Sequence, residues 1–196
     1  MAAPGSSLLL SVVLRPALPP EALARVTLLG AVALAEALAA LGLQPGIKWP
    51  NDVQLGGRKV AGILAEAVWE GEALRAVVLG IGVNVRRDAL PPEALTAYRA
   101  TTVEVALGRP VPRGALLADL LARLDAWAER LDGPDLLAAW ARYSVTLGRR
   151  VMVASGDERL SGLAEAVDGH GALLLRLDDG SQRRLLAGDV TILDGW

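Results

Sequence analysis

The chain has 196 residues, 53% of them hydrophobic and 21% charged, with a formal net charge of -2. That supports one ordinary domain plus a small second one and argues against disorder, a nucleic-acid partner or an anionic membrane partner. There is no cysteine and a single histidine, His170, so disulfides, thiolate metal sites, His-rich metal sites and a Ser-His-Asp triad are excluded.

In chain order, Ser7 to Leu14 reads as a strand. Ser11 interrupts its apolar run and no basic segment precedes it, so it does not read as a signal peptide. Pro19-Pro20 leads into a helix over about Glu21 to Leu41, with Gly42 placed as a C-terminal cap. The apolar stretch Val26 to Leu43 carries Glu36 and reads as a buried core helix, not a membrane span, which points to a cytoplasmic protein. Ile47 to Leu55 reads as a strand, Gly56-Gly57 as a two-residue turn, and Arg58 to Val68 as the returning strand. Leu74 to Val85 is a further strand, and Arg86 to Arg99 a loop. Helices are expected over Thr102 to Leu107, Arg113 to Leu131 and Asp135 to Tyr143; the stripe Leu116, Leu117, Leu120, Leu124 and Trp127 is core packing. Beyond Leu147-Gly148, five short strands follow: Arg150 to Ala154, Glu158 to Val167, Ala172 to Leu177, Ser181 to Ala187 and Thr191 to Leu193. That spacing predicts a small β-barrel. The expected organisation is an α+β domain over 1–146 and a β module over 147–196.

Polar residue usage is lopsided. Of the 20 cationic residues only Lys48 and Lys59 are lysine, and only Asn51 and Asn84 are asparagine. Both lysines and Asn51 fall within twelve consecutive residues. Lysine supplies a compact, mobile ammonium that the planar fork of arginine does not imitate.

With Gly56-Gly57 as the turn, Leu55 faces Arg58, Gln54 faces Lys59, Val53 faces Val60, Asp52 faces Ala61 and Asn51 faces Gly62. Asp52 and Lys59 then lie diagonally on one face, about 7–8 Å apart. At that distance a carboxylate and an ammonium either form a surface ion pair or serve one ligand. In the second case Asp52 holds a Mg²⁺ that bridges phosphates, and Lys59 neutralises a substrate carboxylate or the phosphate that replaces it. In this register Asn51 and Gly62 fall on the opposite face, and one ligand meets both faces only if the strand bulges; Pro50 permits a break.

Gly80-Ile81-Gly82-Val83-Asn84-Val85 is the second feature. Alternation places Gly80, Gly82 and Asn84 on one face and Ile81, Val83 and Val85 on the other. Glycines inside a strand suit either a flat ligand lying against the backbone or close helix packing. A loop follows the motif, so it is not a dinucleotide fingerprint, and there is no Walker A sequence.

Lys48-Trp49-Pro50-Asn51-Asp52, then Arg58-Lys59-Val60-Ala61-Gly62-Ile63-Leu64-Ala65-Glu66, then Gly80-Ile81-Gly82-Val83-Asn84 resemble the biotin protein ligases in order and spacing, and the C-terminal β module matches as well. The resemblance implies a mixed-sheet, biotin/lipoate ligase-like α+β catalytic domain followed by a small SH3-like β-barrel. It implies an ATP-dependent biotin ligase (biotin–[acetyl-CoA-carboxylase] ligase) that forms biotinyl-AMP and transfers biotin to a lysine of a carboxylase carrier domain. Lys59 and Asp52 are the implied catalytic residues. Lys59, Gly62 and Leu64 would bind biotin; Lys48, Asn51, Asp52, Gly82 and Asn84 would serve ATP, with Mg²⁺ at Asp52. Adenylation of this kind needs no protein nucleophile, in keeping with a chain that has no cysteine. Arg183 and Arg184 match a basic position near the nucleotide only loosely, and a solvated strand edge is the favoured reading.

The sequence also departs from the family. The Gly-Arg-rich loop that closes over biotin and the adenylate, and the Ser/Thr-Asn motif that binds the biotin ring, have no counterpart upstream of Ser7, nor has a helix-turn-helix. The expectation is therefore a chain lacking the family's N-terminal part, with activity impaired for want of that loop. A lipoate-type ligase and a non-catalytic ligand-binding or dimerisation module are the alternatives. In the last case the first strand, Ser7 to Leu14, offers an edge for a homodimer.

Overall fold

A computed structural model of the chain describes residues 4–90 and 100–193. The first sheet comprises β1 (Ser7–Leu14), β2 (Pro45–Lys48), β3 (Asp52–Leu55), β4 (Arg58–Glu70) and β5 (Ala73–Asn84), in the order β1-β5-β4-β3-β2. Neighbouring strands are antiparallel throughout, and parallel pairing enters as two isolated bridges, Ile47 to Ser144 and Lys59 to Ala100.

One face of this sheet is covered by α1 (Ala24–Ala40), which follows a short 3₁₀ turn at Pro20–Ala22. From Val26 to Leu38 almost every side chain of α1 is buried, because the sheet lies on one side of it and two further helices on the other. Those helices are α3 (Arg113–Ala128) and α4 (Pro134–Tyr143); a shorter α2 (Val103–Leu107) is capped by the Thr102 side chain, which accepts from the Val105 amide. The helical stretch Pro20–Ala40, which the 3₁₀ turn and α1 make together, is long and apolar enough to cross a membrane, but 72% of the relevant window is buried inside the molecule, so it is a core helix as expected. A Cβ added at Gly30 would stand 3.1 Å from Ile63 and 3.2 Å from Leu79, so this glycine lets α1 approach the sheet closely. On α3, Leu116, Leu120, Leu124 and Trp127 are buried, as their spacing requires.

The second sheet comprises β6 (Arg150–Ser155), β7 (Glu158–Val167), β8 (Leu173–Leu177), β9 (Gln182–Leu185) and β10 (Asp189–Ile192), in the antiparallel order β10-β6-β7-β8-β9. This is the small β module expected from the strand spacing, SH3-like as the family resemblance implied. It joins the first unit through the segment after α4, where the Val145 amide donates to the Ile47 carbonyl at 2.9 Å.

Three details differ from the sequence reading. Ile47 to Leu55 is not one strand. The chain breaks at 49–51 and turns back, so Lys48 pairs with Asp52 and Pro45 with Leu55. Second, β4 carries a bulge. Gln54 pairs with Lys59 and Leu55 with Arg58 as expected, but Val53 pairs with Ala61 and Asp52 with Gly62. Val60 is the extra residue, and the bulge lets both Val60 and Ala61 turn into the core. Third, the loop read as Arg86 to Arg99 begins with a 3₁₀ turn at Arg87–Ala89, and positions 91–99 lie outside the described residues.

Candidate active site

The uncovered face of the first sheet carries the residues singled out by their chemistry. The bulge at Val60 removes the difficulty of the unbulged register: it puts Gly62 on the same face as Asp52. A row then runs across the sheet from Lys48 through Asp52, Gly62 and Gly82 to Leu9, each directly opposite the next. The adjacent row is Leu64, Gly80 and Ser11. Ile81, Val83 and Val85 point into the core, so the alternation of the glycine motif is as expected.

Three glycines leave a floor of bare backbone. Together with Leu9, Leu10, Ser11, Asn51, Ile63, Leu64 and Ile81 they line an open depression of about 570 Å³. Its size and mostly apolar rim suit a small organic ligand. Leu9 is 79% exposed and Leu64 58% exposed, so both edges of the depression present apolar surface to solvent. Gly80 has no helix against it: an added Cβ would meet the Leu64 carbonyl at 3.6 Å and nothing nearer. Of the two sequence readings of the glycines, the structure matches the one that leaves backbone open to a ligand.

The charged end lies beside Gly62. Lys59 Nζ is 2.6 Å from Asp52 Oδ1, and its side chain folds over the position that a Gly62 Cβ would occupy, with Cε and Nζ 3.4 Å away. Asp52 is 14% exposed and Lys59 49% exposed, so the carboxylate is largely enclosed while the lysine side chain stays open to solvent. Lys48 stands on the other side of Asp52, 3.8 Å from Oδ2. Its Nζ also donates to the Val190 carbonyl at 3.0 Å, so it reaches the second module.

Asn51 is fixed by a reciprocal pair of bonds with Ile63: its carbonyl accepts from the Ile63 amide at 3.0 Å and its Nδ2 donates to the Ile63 carbonyl at 2.9 Å. Its side-chain amide is thereby oriented at the rim of the depression. Asn84 ends the glycine row and donates to the Thr101 carbonyl at 3.4 Å. The Thr101 amide in turn donates to the Lys59 carbonyl at 2.8 Å, which brings residues 100–101 alongside the charged end.

Lys59, Asp52, Gly62, Leu64, Gly82 and Asn51 therefore come together, with Asn84 and Lys48 at the ends of the arrangement. Two contributions were missed from sequence, the Leu9 and Ser11 walls. Their signal is the alternation of β1, in which Leu9, Ser11 and Val13 are all exposed. Arg183 and Arg184 pair with Glu158 and Asp168 on the β9 edge, the solvated-edge reading. His170 sits in a turn, where its amide donates to Asp168 Oδ1 at 2.8 Å.

Among the described residues no group of three or more His, Cys, Asp or Glu side chains converges. Asp52 is one carboxylate. It fits a Mg²⁺ that arrives on the phosphates of a nucleotide, for which one or two carboxylates suffice, and not a metal caged by protein alone.

Comparison with known proteins shows the family. Residues 1–84 match the Biotin/lipoate A/B protein ligase family, and residues 146–193 match the Biotin protein ligase C terminal domain. A biotin–[acetyl-CoA-carboxylase] ligase of Paracoccus denitrificans is 35% identical over 187 residues, covering 88% of this chain and 75% of that protein. The bifunctional ligase/repressor BirA of Bacillus spizizenii is 31% identical over 196 residues, covering 96% of this chain. This chain spans 59% of the length of that relative. The apo structure of the biotin protein ligase from Aquifex aeolicus superimposes with a TM-score of 0.80 at 24% identity, covering 95% of this chain and 83% of that one; it shares the fold. The chain belongs to the biotin protein ligase family.

Proposed function

We propose that this chain carries the adenylating site of an ATP-dependent biotin ligase and transfers biotin to a lysine of a carboxylase carrier domain. The observation that carries this reading is the continuity of the glycine-floored depression with the Lys59–Asp52 pair. An apolar ring system with a carboxylate tail fits along that line, tail toward Lys59.

In the first step a biotin carboxylate oxygen bonds to the α-phosphorus of ATP, the bond to the β-phosphate oxygen breaks, and pyrophosphate leaves. In the second, the carrier amine bonds to the acyl carbon, AMP leaves, and the amine gives up its proton. Both steps place negative charge between the two ligands. Lys59 is the group that swings to meet it, exchanging Asp52 for the biotin carboxylate and then the adenylate phosphate. Asn51 and Asn84 present amides to the nucleotide side, and Gly62, Gly82 and Leu64 hold the ring system against the sheet. Asp52 is the residue that would hold Mg²⁺, which when bound offsets phosphate charge. Positioning and charge neutralisation carry such chemistry without a protein nucleophile. A soluble, ATP-rich compartment, the cytoplasm, is the matching location.

The relatives' names support the biotin reading: one is a biotin–[acetyl-CoA-carboxylase] ligase, and an Aquifex aeolicus neighbour of the same fold is described in complex with biotin and ATP. The test is ATP–pyrophosphate exchange with biotin and, separately, with lipoate, followed by transfer to a carrier-domain peptide. Biotin-dependent exchange is expected, and Lys59→Ala should abolish it. Exchange with lipoate alone would favour the lipoate-type alternative. Nucleotide binding without exchange would favour the non-catalytic module. Equal activity in the parent and Lys59→Ala would remove Lys59 from its role.

A further inference from the structure

Lys48 and Trp49 precede the site residues Asn51 and Asp52 by two to four positions, yet both reach the second module. The Lys48 ammonium donates to the Val190 carbonyl on β10 at 3.0 Å. The Trp49 indole N–H donates to the Gly171 carbonyl at 3.3 Å, and the Trp49 amide donates to Thr146 Oγ1 at 3.0 Å. Trp49 is 1% exposed, so its indole is committed to that contact. Lys48 is 19% exposed and stands 3.8 Å from Asp52 Oδ2. A second carboxylate near it, Asp189 at 3.8 Å, is 86% exposed and holds it weakly.

Asp52 is thus shared by two cations of different character. Lys59 approaches Oδ1, is half exposed, and is the one that must leave when an anionic ligand arrives. Lys48 approaches Oδ2 and is anchored to backbone of the other module. A carboxylate held by a mobile cation alone would lose its orientation each time that cation moves. A carboxylate also held by an anchored cation keeps it.

Building on the ligase reading, we propose that Lys48 is a positioning residue: it ties the C-terminal module to Asp52, so that Asp52 stays aligned for the nucleotide while Lys59 exchanges partners. The first half of the Lys48-Trp49-Pro50-Asn51-Asp52 run secures the module, and the second half faces the ligands. A compact ammonium suits a position between acceptors that lie in different directions, where a planar guanidinium fits poorly.

The test uses the full chain and two readouts. In the ligand-free protein, Lys48→Met should speed hydrogen–deuterium exchange of the Trp49 indole N–H by about tenfold or more, since that proton is protected by the seam. The Trp127 indole, bonded to Glu36 on the far side of α1, should not change. In ATP–pyrophosphate exchange, Lys48→Met should raise the KM for ATP by about tenfold and leave the KM for biotin within about twofold, the loss typical of an outer partner of a ligating carboxylate. Lys48→Arg should recover part of both effects. A raised KM for ATP with unchanged Trp49 exchange would mean that Lys48 touches the nucleotide directly and would overturn the proposal. So would a parallel rise in both KM values. A parent chain without exchange activity would remove the ligase reading, and the Trp49 proton would then decide the tie by itself.

Discussion

Glycine serves two unlike purposes in this chain, and the space around each tells them apart. At Gly62 an added Cβ meets the flexible end of Lys59 at 3.4 Å and Asp52 Oδ1 at 4.0 Å, and the strand conformation is ordinary. At Gly162 it would stand 2.2 Å from the Arg176 carbonyl oxygen, backbone of the paired strand β8 that has no room to yield. Gly62→Val should therefore fold with a melting temperature within a few degrees of the parent, while its side chain fills the floor and pushes the Lys59 ammonium aside. Biotin affinity, read by calorimetry, should fall by about tenfold or more. Gly162→Ala should lose about 1–3 kcal/mol of stability in a urea melt through overpacking, with ligand affinity per folded molecule unchanged. A Gly62→Val protein that binds biotin like the parent would remove the glycine floor from the site. Sequence alone did not separate these glycines, because the distinction lies in what faces them across the sheet.

Most elements were legible because local pattern and tertiary burial agree. β1 and β7 have the expected bounds, and the helices differ at their ends by a few residues. A break at Pro50 and a bulge were named from sequence as what one ligand would require, but that the chain turns back at 49–51 and that Val60 is the extra residue could not be read, for different reasons. The break is stabilised from far along the chain, by Val145 at Ile47 and Thr146 at Trp49, and local pattern cannot contain that. The bulge follows from burying two consecutive apolar residues, Val60 and Ala61, which an unbulged strand would send to opposite faces. The face of Gly62 was therefore misassigned in the unbulged register, although Gly62 itself, unlike Leu9 and Ser11, had been picked out.

The turn between β7 and β8 is organised by one carboxylate. Asp168 Oδ1 accepts from the His170 and Ala172 amides at 2.8 and 3.0 Å, and Oδ2 accepts from Arg184 at 2.5 Å. Partial burial pushes this carboxyl up, but the bonds from Arg184, Ala172 and His170 outweigh it and hold it below the usual carboxylate range. A lowered folded value means that the unfolded chain takes up the proton first. The stabilisation is complete above the unfolded value of about 3.9 and is lost as pH falls through the folded one. The same turn presents the Gly169 and Gly171 carbonyls to the first unit. Acidification should therefore release the Trp49 indole before the core of α1 opens, in amide and indole exchange followed from pH 6 downward. Asp168→Asn should show that release already at neutral pH. A turn that stays protected in Asp168→Asn would count against this role of the carboxylate.

At the scale of the molecule, the seam between the two units rests on backbone carbonyls received by a few side chains. Arg25, on the first turn of α1, is 5% exposed. Its Nε donates to the Leu131 carbonyl at 2.7 Å, Nη1 to the Gly169 carbonyl at 2.6 Å, and Nη2 to the Gly133 carbonyl. One guanidinium thus closes the loop after α3 onto the β7–β8 turn of the second module. Burial lowers its pKa and the nearby Asp132 raises it, yet arginine stays protonated in either case. Nothing marks Arg25 among the 18 arginines of the sequence, since its partners are peptide groups that every residue carries. Arg25→Met keeps most of the apolar stem and removes the donors, leaving three carbonyls without the bonds they make here. The cost should be about 2–4 kcal/mol. Arg25→Lys, with a single ammonium in place of a fork, should recover only part of it. Because the lost bonds join the units, the urea transition should also change in kind: one cooperative step in the parent, with the second module released at lower urea in Arg25→Met. Tryptophan fluorescence together with exchange at the β6–β10 amides would read both. A single step displaced uniformly to lower urea would show that Lys48, Trp49 and the 144–146 segment hold the units together without Arg25.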